Sequence, residues 1–189
     1  MAHNDDAWYP HPDLMRPRRR IKAYADAARD DPVRNEFFVP QLWTWHGTMT
    51  ACCAAGNGYV SGGRYRGLAH HADVVLIKAS IDGGRIQGKN VAHAIRFPLR
   101  YPHLGIKILN VSLGVFPSDP DKADVEAAVR EVVEKGIAVF CAVGNEAGAV
   151  PRRVFDDLEE GAGELYVLAE RGTSRAALAR MSKVVIVST

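Results

Sequence analysis

The chain has 189 residues, with 24 Lys and Arg against 22 Asp and Glu, for a formal net charge of +2. That length suits one domain with a proper core, and 47% hydrophobic with 24% charged residues is ordinary for a soluble globular protein. No cationic start followed by an apolar run marks a secretory leader, and no apolar stretch is long enough to span a bilayer.

The opening residues are polar and proline-rich and read as loop from about Tyr9 onward. Arg16, Arg18, Arg19 and Arg20 form the only dense basic run. Without interleaved aromatics it reads as a solvated loop rather than a nucleic-acid patch. Arg18 to Ala28 is compatible with helix or strand, and Arg29 to Pro40 reads as loop. The small residues from Gly47 to Ala55 predict a helix, closed by Gly56-Asn57-Gly58. Ala72 to Ala79 (ADVVLIKA) predicts a buried strand, and Ile86 to Tyr101 an amphipathic helix with Pro98 as an irregularity. Ile106 to Leu113 is a second apolar strand. Asp121 to Lys135 is the clearest helix, with Val125, Ala128, Val129, Val132 and Val133 at helical spacing and Gly136 closing it. Ile137 to Val143 is a third strand and Lys183 to Ser188 a fourth. The pattern weakens over 151–180, an atypical segment between them. Apolar strands alternating with amphipathic helices predict a parallel sheet covered on both faces.

Cysteine usage points to a reducing compartment. Of Cys52, Cys53 and Cys141, two are adjacent, which seldom suits one strain-free bridge. Cys52 and Cys53 with His70 and His71 fit no standard zinc spacing, so these read as small buried thiols. There is no P-loop, and no GxGxxG after a first strand, to support a nucleotide-binding domain.

The most informative stretch runs from Trp45 to Gly67, WHGTMTACCAAGNGYVSGGRYRG. A histidine directly before Gly-Thr opens a helix of small residues, and a glycine-rich turn follows. An imidazole at a helix start lies within reach of unpaired N–H groups and the helix dipole. Further back stands His11-Pro12-Asp13-Leu14, and Val143-Gly144-Asn145-Glu146 follows the third strand. Together these resemble the subtilisin-like serine proteases (the S8 family, or subtilases), nearest to their intracellular bacterial branch.

The resemblance implies an α/β fold: a subtilase-type three-layer sandwich with a mostly parallel sheet, here a truncated version forming a single partial domain over 1–189. It implies a serine endopeptidase with an Asp-His-Ser triad acting on a peptide or protein substrate, with neither nucleic acid nor membrane as partner, in the cytoplasm. His46 is the implied general base, since an imidazole accepts and returns a proton near neutral pH. Counting back from HPDL places Asp5 at the acid position, with Asp6 the alternative carboxylate. Asn145 is the implied oxyanion donor. Ser112, Leu113 and Gly114 are the implied substrate-binding segment, pairing with an extended peptide by strand addition. For the nucleophile two readings stand. Gly172-Thr173-Ser174-Arg175-Ala176 matches the serine motif as a string, whereas Ser182 to Val187 resembles the strand that soon follows the oxyanion asparagine, which would put the serine beyond Thr189. The sequence departs from the family at Met49, where a second histidine is usual, and at Cys52, where glycine is usual. No cofactor is implied; the family often uses structural calcium, but no acidic loop here is specific enough to assign to it. The alternative is a non-catalytic relative that binds extended peptides or a partner chain in the same cleft.

Overall fold

The computed structural model describes residues 2–5, 10–29, 33–34, 44–81, 85–114 and 118–142. Asn145, Ser174, the segment 151–180 and the strand expected over Lys183 to Ser188 lie outside the described residues.

Six strands form one sheet: β1 (Ala2–Asp5), β2 (Ile21–Asp26), β3 (Val33–Arg34), β4 (Val74–Lys78), β5 (Ile108–Val111) and β6 (Ala138–Cys141), in the order β3-β2-β4-β1-β5-β6. Every pairing is parallel except β2 with β3. Parallel neighbours need crossovers, and helices supply them. Helix α2 (Thr44–Ala55) connects β2 to β4, α3 (Gly88–Ile95) and the short α4 (Phe97–Arg100) connect β4 to β5, and α5 (Lys122–Glu134) connects β5 to β6. A single helical turn, α1 (Pro12–Met15), precedes β2.

The two sheet faces have separate cores. Val75, Ile77, Leu109, Val111 and Val139 pack with Val91, Ile95, Phe97, Ala128 and Val132 of the α3 to α5 layer. Val74 and Leu76 pack on the other face with Leu14, Ile21, Tyr24, Ala51 and Ala55. Alternate residues of β4 therefore serve opposite layers, which is why this strand is apolar from Val74 to Ile77. This is the three-layer α/β sandwich with a mostly parallel sheet.

Several expectations need sharper edges. The helix expected over Ile86 to Tyr101 is two pieces, because Pro98 cannot donate to the ladder and restarts the turn at Phe97. Fully buried Phe97 anchors the break and stacks on Tyr101 at 4.4 Å. Arg29 to Pro40 contains β3, a two-residue antiparallel edge. The ambiguous stretch before it is a strand, β2. The arginine run is not all solvated: Arg20 is only 2% exposed. Its guanidinium donates to the carbonyls of Asp13 (2.5 Å), Ala55 (2.6 Å) and Ala72 (2.9 Å), closing three chain segments around one cation.

Candidate active site

Strand order decides where a site can form. The chain lays β4 beside β2, then crosses over β1 to reach β5, so β1 lies where the winding changes direction. In open parallel sheets the crevice for ligands lies beyond the carboxyl ends of the strands at such a point. Asp5 is the last residue of β1. Its register partner is Lys78, the last residue of β4. Leu76 and Val74, alternating with Lys78, pack against α2, so the Lys78 and Asp5 positions belong to the α2 face of the sheet.

His46 comes to the same edge from above. Because α2 is a crossover between parallel neighbours, it runs back against them, and its first turn stands at their carboxyl ends. His46 is the third residue of that helix, half-buried, with its ring edge-on to Trp45 at 5.5 Å. Trp45 is itself 63% exposed. The buried stripe of α2, namely Thr44, Gly47, Thr50, Ala51 and Ala55, is made of small residues, so the helix lies close to the sheet and against β1. Thr48 and Thr50 return their hydroxyls to the carbonyls of Thr44 (2.7 Å) and Gly47 (3.1 Å), satisfying acceptors within the first turns.

The far end of α2 is fixed by the glycine-rich loop. Gly67 N donates to Gly56 O and Ala69 N to Ala54 O, each at 2.8 Å. The HPDL turn locks onto the same loop: Asp13 Oδ1 accepts from Val60 N (2.9 Å) and Asp13 O from Asn57 N (3.1 Å). His11 and Asp13 are thus framework residues that tie α1, the loop and α2 together.

Ser112, Leu113 and Gly114 leave β5 at the same carboxyl edge, on the other side of β1. Asn110 Nδ2 donates to Ser112 Oγ at 2.8 Å, Leu113 packs against the core, and Gly114 is exposed. The sheet thus brings the positions of Asp5, His46 and Ser112 to Gly114 to one edge. Asn145 and Ser174 lie outside the described residues.

Sequence reasoning missed a charged row beside this edge. Asp26, at the end of β2, is the other register partner of Lys78. Its Oδ2 pairs with Lys78 Nζ at 3.2 Å and with Arg29 Nε at 3.1 Å, and its Oδ1 accepts from Ala28 N at 3.1 Å. The side chains of Lys78 and Asp26 are only 11% and 7% exposed. No local motif signals this pairing, since it exists only through register.

A second charged cluster lies on the opposite layer. The open cleft lined by Lys89, His93, Arg96, Leu99, Arg100, Asp124 and Glu131 has its central cation already paired. Arg96 donates to both carboxylate oxygens of Glu131 (2.7 and 2.8 Å) and pairs with Asp124 at 2.8 Å. Those hydrogen bonds hold both carboxyls below their usual range, so this is a clamp between α3 and α5.

All three cysteines are free thiols. Desolvation pushes Cys52 up to about 12 and Cys141 up to about 11, whereas Cys53 is exposed. A thiol whose folded value is raised supports folding fully below its unfolded value, ~8.5, and loses that support as pH rises through the folded value. At pH 8 a disulfide reagent should therefore consume one thiol quickly in the folded chain and all three in denaturant. Cys53→Ser should abolish the fast phase.

Among the described residues no helix is long and apolar enough to cross a membrane. Residues 5–182 match the model of the subtilase family, peptidase S8. The chain is 31% identical over 148 residues to the serine protease AprX of Bacillus subtilis (strain 168), covering 75% of this chain and 31% of that protein. It is 27% identical over 139 residues to the major intracellular serine protease of the same organism, covering 72% of this chain and 39% of the other. The S41 psychrophilic protease superposes with a TM-score of 0.62 at 27% identity, over 76% of this chain and 45% of that structure. Sphericase does so with 0.62 at 25%, over 76% and 46%. The chain thus spans about a third of AprX and under half of these solved proteases. A parallel three-layer sheet, a histidine helix over its carboxyl edge and a family match running through residues 5–182 together establish that this chain belongs to the subtilase family of serine proteases.

Proposed function

We propose that the chain acts as a serine endopeptidase on extended peptide or protein substrates, with His46 as general base and Asp5 as its orienting acid. What supports this reading most is the register that ends β1 at Asp5 on the sheet face that α2 covers, with His46 in the first turn of that helix. In the reaction, the imidazole takes the proton from a serine hydroxyl as that oxygen attacks the scissile carbonyl. It then returns the proton to the leaving amine. The Asp5 carboxylate fixes the imidazole tautomer and stabilises the imidazolium. The Asn145 side-chain amide donates to the oxyanion. Backbone groups of Ser112 to Gly114 pair with the substrate strand. Ser174, in the Gly172-Thr173-Ser174 string, is the nucleophile in this reading. A cytoplasmic setting accords with three free thiols and with the likeness to a protease named as intracellular.

The test is a fluorophosphonate probe read by intact mass on the full chain. One adduct is expected on the parent, lost in both His46→Ala and Ser174→Ala, a fall of at least 1,000-fold in labelling rate for either. A folded parent that takes no adduct rejects Ser174 as an activated nucleophile.

A further inference from the structure

The row of charges at the carboxyl edge is unbalanced as far as β2 and β4 go. Asp26 serves two cations, Lys78 and Arg29, at 3.2 and 3.1 Å. One carboxylate against two cations leaves a net positive charge, and the Lys78 side chain is only 11% exposed. A buried ammonium with three donors is costly unless it is paired and further acceptors take the donors that Asp26 leaves over. Asp26 lies in register with Lys78 from the β2 side, and the position in register from the β1 side is Asp5. Neighbouring strands lie about 4.8 Å apart, so the two positions in register with Lys78 are well inside the reach of a lysine. The next position in the row is therefore that of Asp5, the residue that the reading above makes the orienter of His46.

From this geometry we propose that Lys78, held from behind by Asp26, is a positioning residue that fixes the Asp5 carboxylate at the carboxyl edge of β1. Lys78 touches neither substrate nor reacting atoms. Its ammonium balances the carboxylates on either side and restricts the directions in which that of Asp5 can face the imidazole. Asp26 keeps the lysine from swinging across onto His46, which it would repel once protonated. The proposal rests on the reading of Asp5 as the acid of the site, and the test separates the two.

The measurement is the titration midpoint of the His46 ring by NMR on the full chain, its signal assigned by loss in His46→Gln. If Asp5 faces the imidazole, Asp5→Asn lowers the midpoint by about one pH unit. An unchanged midpoint in a folded Asp5→Asn chain sinks the role of Asp5, whatever Lys78 does. Given that shift, Lys78→Met is expected to lower the midpoint by about half a unit toward the Asp5→Asn value, because the carboxylate is no longer held. Lys78→Arg should stay near the parent, and Lys78→Met added to Asp5→Asn should move it no lower. A midpoint that rises in Lys78→Met reports only the loss of a nearby positive charge and overturns the proposal, as does no shift. Should Lys78→Met not fold, Lys78→Gln carries the same comparison.

Discussion

Gly67→Ala is expected to lower folding stability by about 3 kcal/mol, seen as a drop in the urea midpoint with an unchanged slope. A Cβ at this position would stand 2.6 Å from Ala55 N, 2.7 Å from the Ala54 carbonyl carbon and 2.7 Å from Cys53 O. All three are backbone atoms of the last turn of α2, so no flexible side chain can give way. The loop would have to lift, stretching the bonds from Gly67 N to Gly56 O and from Ala69 N to Ala54 O. Gly62→Ala makes the comparison. With φ +60 and nothing within 4 Å, it bears only the left-handed backbone penalty, about 1 kcal/mol. Equal losses at the two positions would mean that the close approach is not what demands glycine at 67. Since this loop holds one end of the helix whose other end carries His46, the damage should also reach the imidazole's seat.

Arg20→Met should cost about 3 kcal/mol as well, by a different route. The three carbonyls gathered by Arg20 belong to the HPDL turn, the end of α2 and the approach to β4. Removing the guanidinium leaves two buried acceptors and one half-buried acceptor, from three segments, without their donor, while the methionine restores only the apolar stem. Arg20→Lys should recover little, because a single ammonium on a flexible stem cannot reproduce the planar fork. Burial holds the arginine below its usual range, with Arg18 adding to the effect, yet it remains a cation at any ordinary pH. The loss should therefore be the same at pH 6 and pH 9. A marked pH dependence would show that a titrating neighbour, rather than the three carbonyls, sets its worth.

Elements whose signal is local could be read directly. Helix α5 carries its stripe at the right spacing, buries Ala128 and Val132, and closes at Gly136 with φ +76. The run that became β4 is apolar from Val74 to Ile77 because both its faces are covered, and β5 and β6 keep an apolar face toward the α3 to α5 layer. The helix bearing His46 was legible for the same reason: a close approach to the sheet requires small residues. What the sequence hides depends on partners far along the chain. Ala2-His3-Asn4-Asp5 is polar and short, and only pairing with β4 and β5 makes it the middle of a sheet. Ile21 to Asp26 alternates weakly because only small Ala23 and Ala25 fill one face and the register shifts between Ile21 and Ala23, and its arginine neighbours suggest solvent. Arg20 and Lys78 look like ordinary surface cations until the register places carbonyls around one and Asp26 beside the other. His46 could be singled out from its own segment, whereas the pairing of Asp26 with Lys78 could not.

The central place of β1 has a kinetic consequence. Ala2 to Asp5 pair with residues 75–78 and, through Ala2 to Asn4, with 109–111. Each contact closes a loop of many tens of residues before any pairing rewards it, and such non-local closure is slow. The hairpin-like edge of β2 and β3 and the β5-α5-β6 unit involve far shorter separations and can assemble first. Two half-sheets would then exist with an open slot between them, each presenting an unpaired strand edge. Insertion of β1 into that slot joins the halves and brings the Asp5 position beneath α2 in the same event. The last strand to be seated is then the one that carries Asp5, so a chain caught short of that step would be compact, prone to associate through β4 or β5, and without its central strand.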